Sequence, residues 1–220
     1  MKKIITLAII LISGLISITA FGQQFNIGEK VSFHSNILDE ERSILVYLPS
    51  SYNFTDVNYP VLYLLDGATH FHHASGIVQF LSSQGLIPEM IVIGVVNTDR
   101  NKDFTPTPES RRIGSGGAEK FTNYFSDELF PFIARNYRVN SYNVIMGHSL
   151  GGTFATYTLF NKPELFDAYI AISPYLMYDH NLLVRESQTK IKSKYPTVIQ
   201  YYMTVGKEEG YYDALDFFAD

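Results

Sequence analysis

Apolar residues recur along this chain in two rhythms, and the rhythms alternate. Residues 31–34 and 43–48 switch between apolar and polar at every step, the period of a strand with one wet face, and Pro49 ends the second. Together they predict an N-terminal antiparallel pair. Residues 61–65 and 90–96 are unbroken apolar runs, as expected of strands covered on both faces. The shorter stretches 144–146, 168–172 and 198–205 read the same way. Between them, 74–81, 118–134 and 153–160 have helical spacing, and 182–192 reads as a surface helix. In the longest, Phe121, Phe125, Leu129 and Phe132 form the apolar stripe, and Pro131 is placed to kink or shorten its end. Seven strands with helices between most later pairs predict an α/β protein with a mostly parallel sheet, free of internal repeats. Pro106, Pro108 and the glycines at 114, 116 and 117 make 97–117 a long irregular segment. It follows the fourth strand, so it belongs at the carboxyl edge of the sheet, where such proteins bind ligands.

The first 22 residues carry a different pattern. Lys2 and Lys3 precede an apolar run at 4–12, diluted afterwards by Ser13, Gly14 and Ser17. Ala20 and Gly22 are small residues at −3 and −1 of a cut before Gln23. This predicts a secretory leader over 1–22 and an exported domain over 23–220, periplasmic or secreted and free of the membrane once cut. Losing the two lysines takes the formal charge from −5 to −7. So acidic a chain has no basic excess for phosphates, which argues against nucleic acid. With 46% hydrophobic and 18% charged residues it has the material for a core. Cysteine is absent, which excludes disulfides, thiolate metal sites and a cysteine nucleophile.

One stretch carries chemistry. Residues 144–152, Val-Ile-Met-Gly-His-Ser-Leu-Gly-Gly, are a buried strand, a G-x-S-x-G turn and a helix start. Such a turn lifts the Ser149 hydroxyl into the open, and side chains at Gly147 and Gly151 are expected to collide with the neighbouring strand and helix. The helix N-terminus aims amides at developing negative charge, and the Leu150 N–H is the expected oxyanion donor. A second donor is expected in the loop after the third strand, where Gly67 lets the chain turn inward and Ala68 offers its N–H.

The stretch 60–67, the Gly-His-Ser-Leu-Gly-Gly sequence and the glycine-led helix with Glu128, Leu129, Phe130 and Pro131 resemble the putative esterase family. Its members include siderophore hydrolases, feruloyl and acetyl xylan esterases, S-formylglutathione hydrolase and mycolyltransferases. The likeness runs over about residues 30–210, and 96–100 with 103–106 is similar to the siderophore-hydrolase-like branch of exported esterases. The resemblance implies an α/β-hydrolase fold, no cofactor, a small-molecule or carbohydrate ester as partner, and a Ser, acid, His triad in that order. The acid is expected after the seventh strand, at Glu209 by the family's spacing from Gly206, with Glu208 and Asp213 as alternatives. None of the six histidines, His34, His70, His72, His73, His148 and His180, follows residue 209. The expectation is a C-terminally truncated domain lacking its last strand, helix and general base, or else a pseudo-esterase that only binds. Acyl transfer to a sugar or alcohol would use the same residues.

Asp66, Gly67, His148 and Arg100 are expected to contribute to the substrate site, although His148 should point away from the serine. Arg100, Arg111 and Arg112 are candidates to meet an anionic substrate. His70, His72 and His73 follow the oxyanion loop, but no acidic or cysteine partner at suitable spacing supports a zinc site.

Overall fold

The structure, a computed structural model, describes residues 26–190 and 199–206. The predicted leader, Glu208, Glu209 and Asp213 lie outside them, as do residues 191–192 of the last predicted helix and Val198 of the last predicted strand.

Seven strands form one sheet in the order β1-β2-β4-β3-β5-β6-β7. They are β1 (Glu29–Ser35), β2 (Glu40–Tyr47), β3 (Tyr59–Leu64), β4 (Ile91–Val96), β5 (Val139–His148), β6 (Ala168–Ile172) and β7 (Gln200–Thr204). β2 pairs antiparallel with β1 and β4, and every pairing from β4 through β3, β5, β6 and β7 is parallel. The predicted alternation and runs are thus realised, with β5 starting well before its apolar core because Asn140, Ser141 and Tyr142 at its outer end face water.

Among the described residues six α-helices cover the sheet: α1 (Gly67–Ser83), α2 (Arg100–Phe104), α3 (Ala118–Tyr124), α4 (Phe130–Asn136), α5 (Leu150–Asn161) and α6 (Tyr178–Lys190). Alternate residues of the central strands serve two separate cores. Val61, Tyr63, Ile145 and Tyr169 face the side packed by α2 to α6, with Phe104, Phe121, Phe125 and Phe154. Leu62, Leu64, Val144 and Ala168 face the other side, where Phe71, Ala74 and Val78 of α1 pack. The first core is a lattice of rings, with Phe121 5.1 Å from Phe154 and Phe130 4.8 Å from Tyr63. A fully buried ring such as Phe121 or Phe154 contributes roughly 1.5–3 kcal/mol, which is where much of the chain's aromatic content is used.

Three departures from the sequence expectation have local causes. The helix predicted over 118–134 is two helices joined by a π-helical segment, Phe125–Leu129. Pro131, in the first turn of α4, has no N–H for the Asp127 carbonyl, and the wider turn ahead of it avoids the clash its ring would make. The segment 97–117 is not wholly irregular, because Asp99 caps α2 inside it. The predicted surface helix buries Leu183, Val184 and Ser187, and three left-handed residues, Asp179, His180 and Asn181, break its start.

Candidate active site

β5 ends at His148 and α5 begins at Leu150, so Ser149 alone makes the turn between them. Its φ of 55° and ψ of −119° are angles that residues with a side chain rarely adopt. Hydrogen bonds hold it there. Its N–H donates to the Ile172 carbonyl at 3.0 Å, and its carbonyl accepts from Thr153 N at 2.9 Å and Tyr175 N at 3.2 Å. A Cβ on Gly147 would lie 2.3 Å from the carbonyl carbon and oxygen of Gly151, so the helix folds back on the strand only over a glycine. At Gly151 the expected collision is milder: a Cβ would stand 3.3 Å from Asp66 Oδ2 and 3.4 Å from Leu65 Cβ.

The neighbouring parallel strand β3 ends in a second turn of this kind. Leu65 N–H donates to the Met146 carbonyl at 2.9 Å, Asp66 turns the chain, and α1 starts at Gly67. Here the sequence expectation needs correction. Asp66, not Gly67, takes the left-handed conformation, at φ 53° and ψ 43°. Gly67 is needed for contact, since its Cβ would lie 2.4 Å from the Gly94 carbonyl carbon on β4.

Ser and Asp are among the best N-cap residues, and a cap normally accepts from the second or third N–H of its helix. Asp99 does so, accepting from Asn101 N at 2.8 Å and Lys102 N at 3.4 Å. Ser149 and Asp66 do not cap their helices. The first-turn amides of Leu150 and Ala68 have no acceptor within their own helices. Two helix N-termini on adjacent strands therefore present amides at one edge without capping side chains, an arrangement suited to a developing oxyanion.

Arg100 takes the carboxylate that might have capped α1. Its Nε donates to Asp66 Oδ1 at 2.5 Å and its Nη2 to Asp66 Oδ2 at 3.0 Å. The expectation of Arg100 as an open anion receptor is thereby corrected: both oxygens of a buried carboxylate already occupy its fork, and Asp66 is correspondingly turned from solvent. Arg112 pairs with Glu109 at 3.3 Å and stacks over Tyr175, 5.4 Å from its ring. With Asn101, Glu109, Arg111, Ile113 and Tyr175 it lines a cavity of about 570 Å³, joined to the elbow through Tyr175.

His148, expected to point away from the serine, packs towards α1. Its ring lies 5.9 Å from that of His70, which lies 5.2 Å from His73. The three imidazoles border an apolar cavity of about 380 Å³ that includes Leu62, Leu64, Met146 and Ile172. Burial pushes the His70 pKa down; Asp66 opposes this, while His73, His148 and Arg100 add to it. Among the described residues no group of three or more His, Asp or Glu is arranged to hold a metal ion.

Sequence reasoning missed the support behind Arg100. Arg42 on β2 is wholly buried, and its Nη2 donates to Asp103 Oδ2 of α2 at 2.9 Å. Its Nη1 donates to Glu40 at 2.8 Å and Thr98 at 3.1 Å. Burial raises the Asp103 pKa, with Arg42, Asn97 and Lys102 pulling it back.

This is an α/β-hydrolase fold with a strained strand-to-helix turn at Ser149, and comparison with known proteins bears on which kind. Residues 35–209 match the family described as "Putative esterase", and the chain belongs to that family. The ferri-bacillibactin esterase BesA of Bacillus subtilis (strain 168) is 35% identical over 150 residues, covering 59% of this chain and 52% of BesA. The chain thus spans about half the length of that relative. The structure of an IroE-like serine hydrolase from Shewanella oneidensis is 25% identical with a TM-score of 0.70, covering 87% of this chain and 78% of that one. BES protein from Bacillus cereus shares the fold at a TM-score of 0.77 and 24% identity, over 91% and 83% of the two chains. Among the described residues no helix is long and apolar enough to cross a membrane.

Proposed function

We propose that this chain is an exported serine esterase that cleaves a siderophore-type ester, with Ser149 as nucleophile. The observation that carries the reading is the elbow: a serine at strained angles, fixed by backbone hydrogen bonds, whose hydroxyl does not cap its helix. Ser149 Oγ attacks the ester carbonyl while a base takes its proton. The carbonyl oxygen gains the negative charge, and the Leu150 and Ala68 amides donate to it. The tetrahedral species collapses, the alcohol leaves with a proton, and water then releases the acid from the acyl-enzyme. Glu209 is the proposed acid behind the histidine that the family's triad requires. The substrate class rests on the ferri-bacillibactin esterase similarity and on the cavity edged by Arg111 and Arg112, which suits an anionic aryl ester. Export rests on the leader pattern over 1–22.

The test is active-site labelling of the full-length protein with a fluorophosphonate, read by peptide mass spectrometry. A single adduct on Ser149, lost in Ser149→Ala while circular dichroism is unchanged, is the expected result. An adduct that persists at one site in Ser149→Ala would end the assignment.

A further inference from the structure

Asp66 holds the position from which an aspartate caps a helix, yet its carboxylate is bound elsewhere. A carboxylate that capped α1 would accept from Ala68 N–H, the second amide of the helix, since Thr69 N–H already donates to the Asp66 carbonyl at 2.9 Å. It would then occupy, with its own negative charge, the donor that the ester's oxyanion needs. An ordinary N-cap residue has extended backbone angles, as Asp99 has at φ −144° and ψ 112°. Asp66 is left-handed instead, and its carboxylate meets a guanidinium fork at both oxygens.

We propose that Arg100 is a positioning residue that keeps the oxyanion site open by holding the Asp66 carboxylate off the N-terminus of α1. Its bearing on ester cleavage rests on the reading of the preceding section; its bearing on the turn does not.

The arm that carries Arg100 is braced on three sides. Asp103, on the same short helix, is held by buried Arg42 of β2 and by Asn97 Nδ2 at 3.0 Å. Phe104 is fully buried, 5.8 Å from Phe154 of α5, the helix behind Ser149. The N–H groups of Gly117 and Ala118 donate to the Lys102 and Thr105 carbonyls at 3.0 and 3.1 Å. One five-residue helix therefore touches both turns of the site, packing on the serine's helix and gripping the aspartate of the other. A lysine at this position would supply one point charge where two oxygens need a planar fork.

Two readouts on the same variants test this. In Arg100→Met the freed carboxylate should cap α1, so the Ala68 amide proton shifts downfield in 15N-resolved spectra. Fluorophosphonate labelling of Ser149 should slow roughly 10- to 100-fold, the scale of a compromised oxyanion donor. Arg100→Met with Asp66→Gly removes the competing carboxylate and suits the left-handed angles, so labelling should recover about tenfold over Arg100→Met alone. A purely structural role predicts the opposite order, with the double variant worse. Arg100→Lys gives the same direction at smaller size should Arg100→Met not fold. Unmoved amide resonances would overturn the proposal, as would a double variant that labels no faster than the single. If the unchanged protein takes no label while the resonances shift as expected, the esterase reading fails and the hold on Asp66 stands.

Discussion

Two turns at one edge of the sheet use the same topology to opposite ends. Each follows a buried parallel strand, each opens a helix, and each places a non-glycine residue at positive φ. At Asp66 the backbone is in the left-handed well, which aspartate tolerates, and two hydrogen bonds to Arg100 consume the side chain. At Ser149 the ψ of −119° lies outside that well, and backbone hydrogen bonds do the holding, which leaves the hydroxyl uncommitted to the helix. Strain with an unspent side chain marks the turn proposed to react. Mild strain with a fully spent side chain marks the supporting one.

The largest effect should come from removing a donor at the supporting turn. Ala68→Pro deletes one N–H in the first turn of α1, where proline's fixed φ is tolerated. Labelling of Ser149 should slow about 10²- to 10³-fold with the far-ultraviolet spectrum unchanged. A loss no larger than twofold would remove Ala68 from the site and leave Leu150 as the proposed donor.

Next in size is the packing of the turns. Gly147→Ala puts a methyl 2.3 Å from Gly151 backbone, and Gly67→Ala puts one 2.4 Å from Gly94 backbone. Backbone cannot swing aside, so each should cost about 3 kcal/mol in urea unfolding. Gly151→Ala meets atoms at 3.3 Å and beyond and should cost less than half as much. Equal costs at all three would mean that these contact distances do not govern the glycines.

The central strands, both turns and the serine can be read from the chain because each leaves a signal longer than a few residues. Unbroken runs at 61–65 and 90–96 place the central strands, and glycines on both sides of Ser149 announce the elbow. The arm between β4 and α3 is illegible for a physical reason: five residues complete too few turns for any period to appear. Arg42 left a fainter trace, in phase with Ile44 and Val46 on a strand where every second residue is buried. A charge on the buried face of a strand demands a partner, and Asp103 is that partner, although nothing in the sequence points to it. The residue before the serine points wherever β5 alternation sends it, which is towards α1 and His70.

Glycine at each turn residue sharpens the comparison further. Ser149→Gly relieves an angle pair that costs about 1–3 kcal/mol for a residue with a side chain, so it should stabilise the fold while abolishing labelling. Asp66→Gly relieves little and loses the Arg100 pair, so it should destabilise, by about 1 kcal/mol or less because Arg100 is 45% exposed. Urea midpoints on the two variants should therefore move in opposite directions. Movement the same way would mean the two turns store strain alike.

The smallest effect is a pH dependence at the imidazole between the turns. His70 faces Asp66 at the head of its own helix, His73 one turn on, His148 from β5 and Arg100 from α2. Burial lowers its pKa, helped by His73, His148 and Arg100 and only partly offset by Asp66. The folded protein thus binds a proton at His70 less readily than the unfolded chain, whose value is the ordinary 6.5. Stability attached to this residue is present above that value and is lost as pH falls towards and through the lowered one. His70→Gln keeps a polar side chain without the titration. Between pH 7.5 and 5 its urea midpoint should fall less than that of the unchanged protein. A variant that loses as much on acidification would show that His70 is not the group being charged.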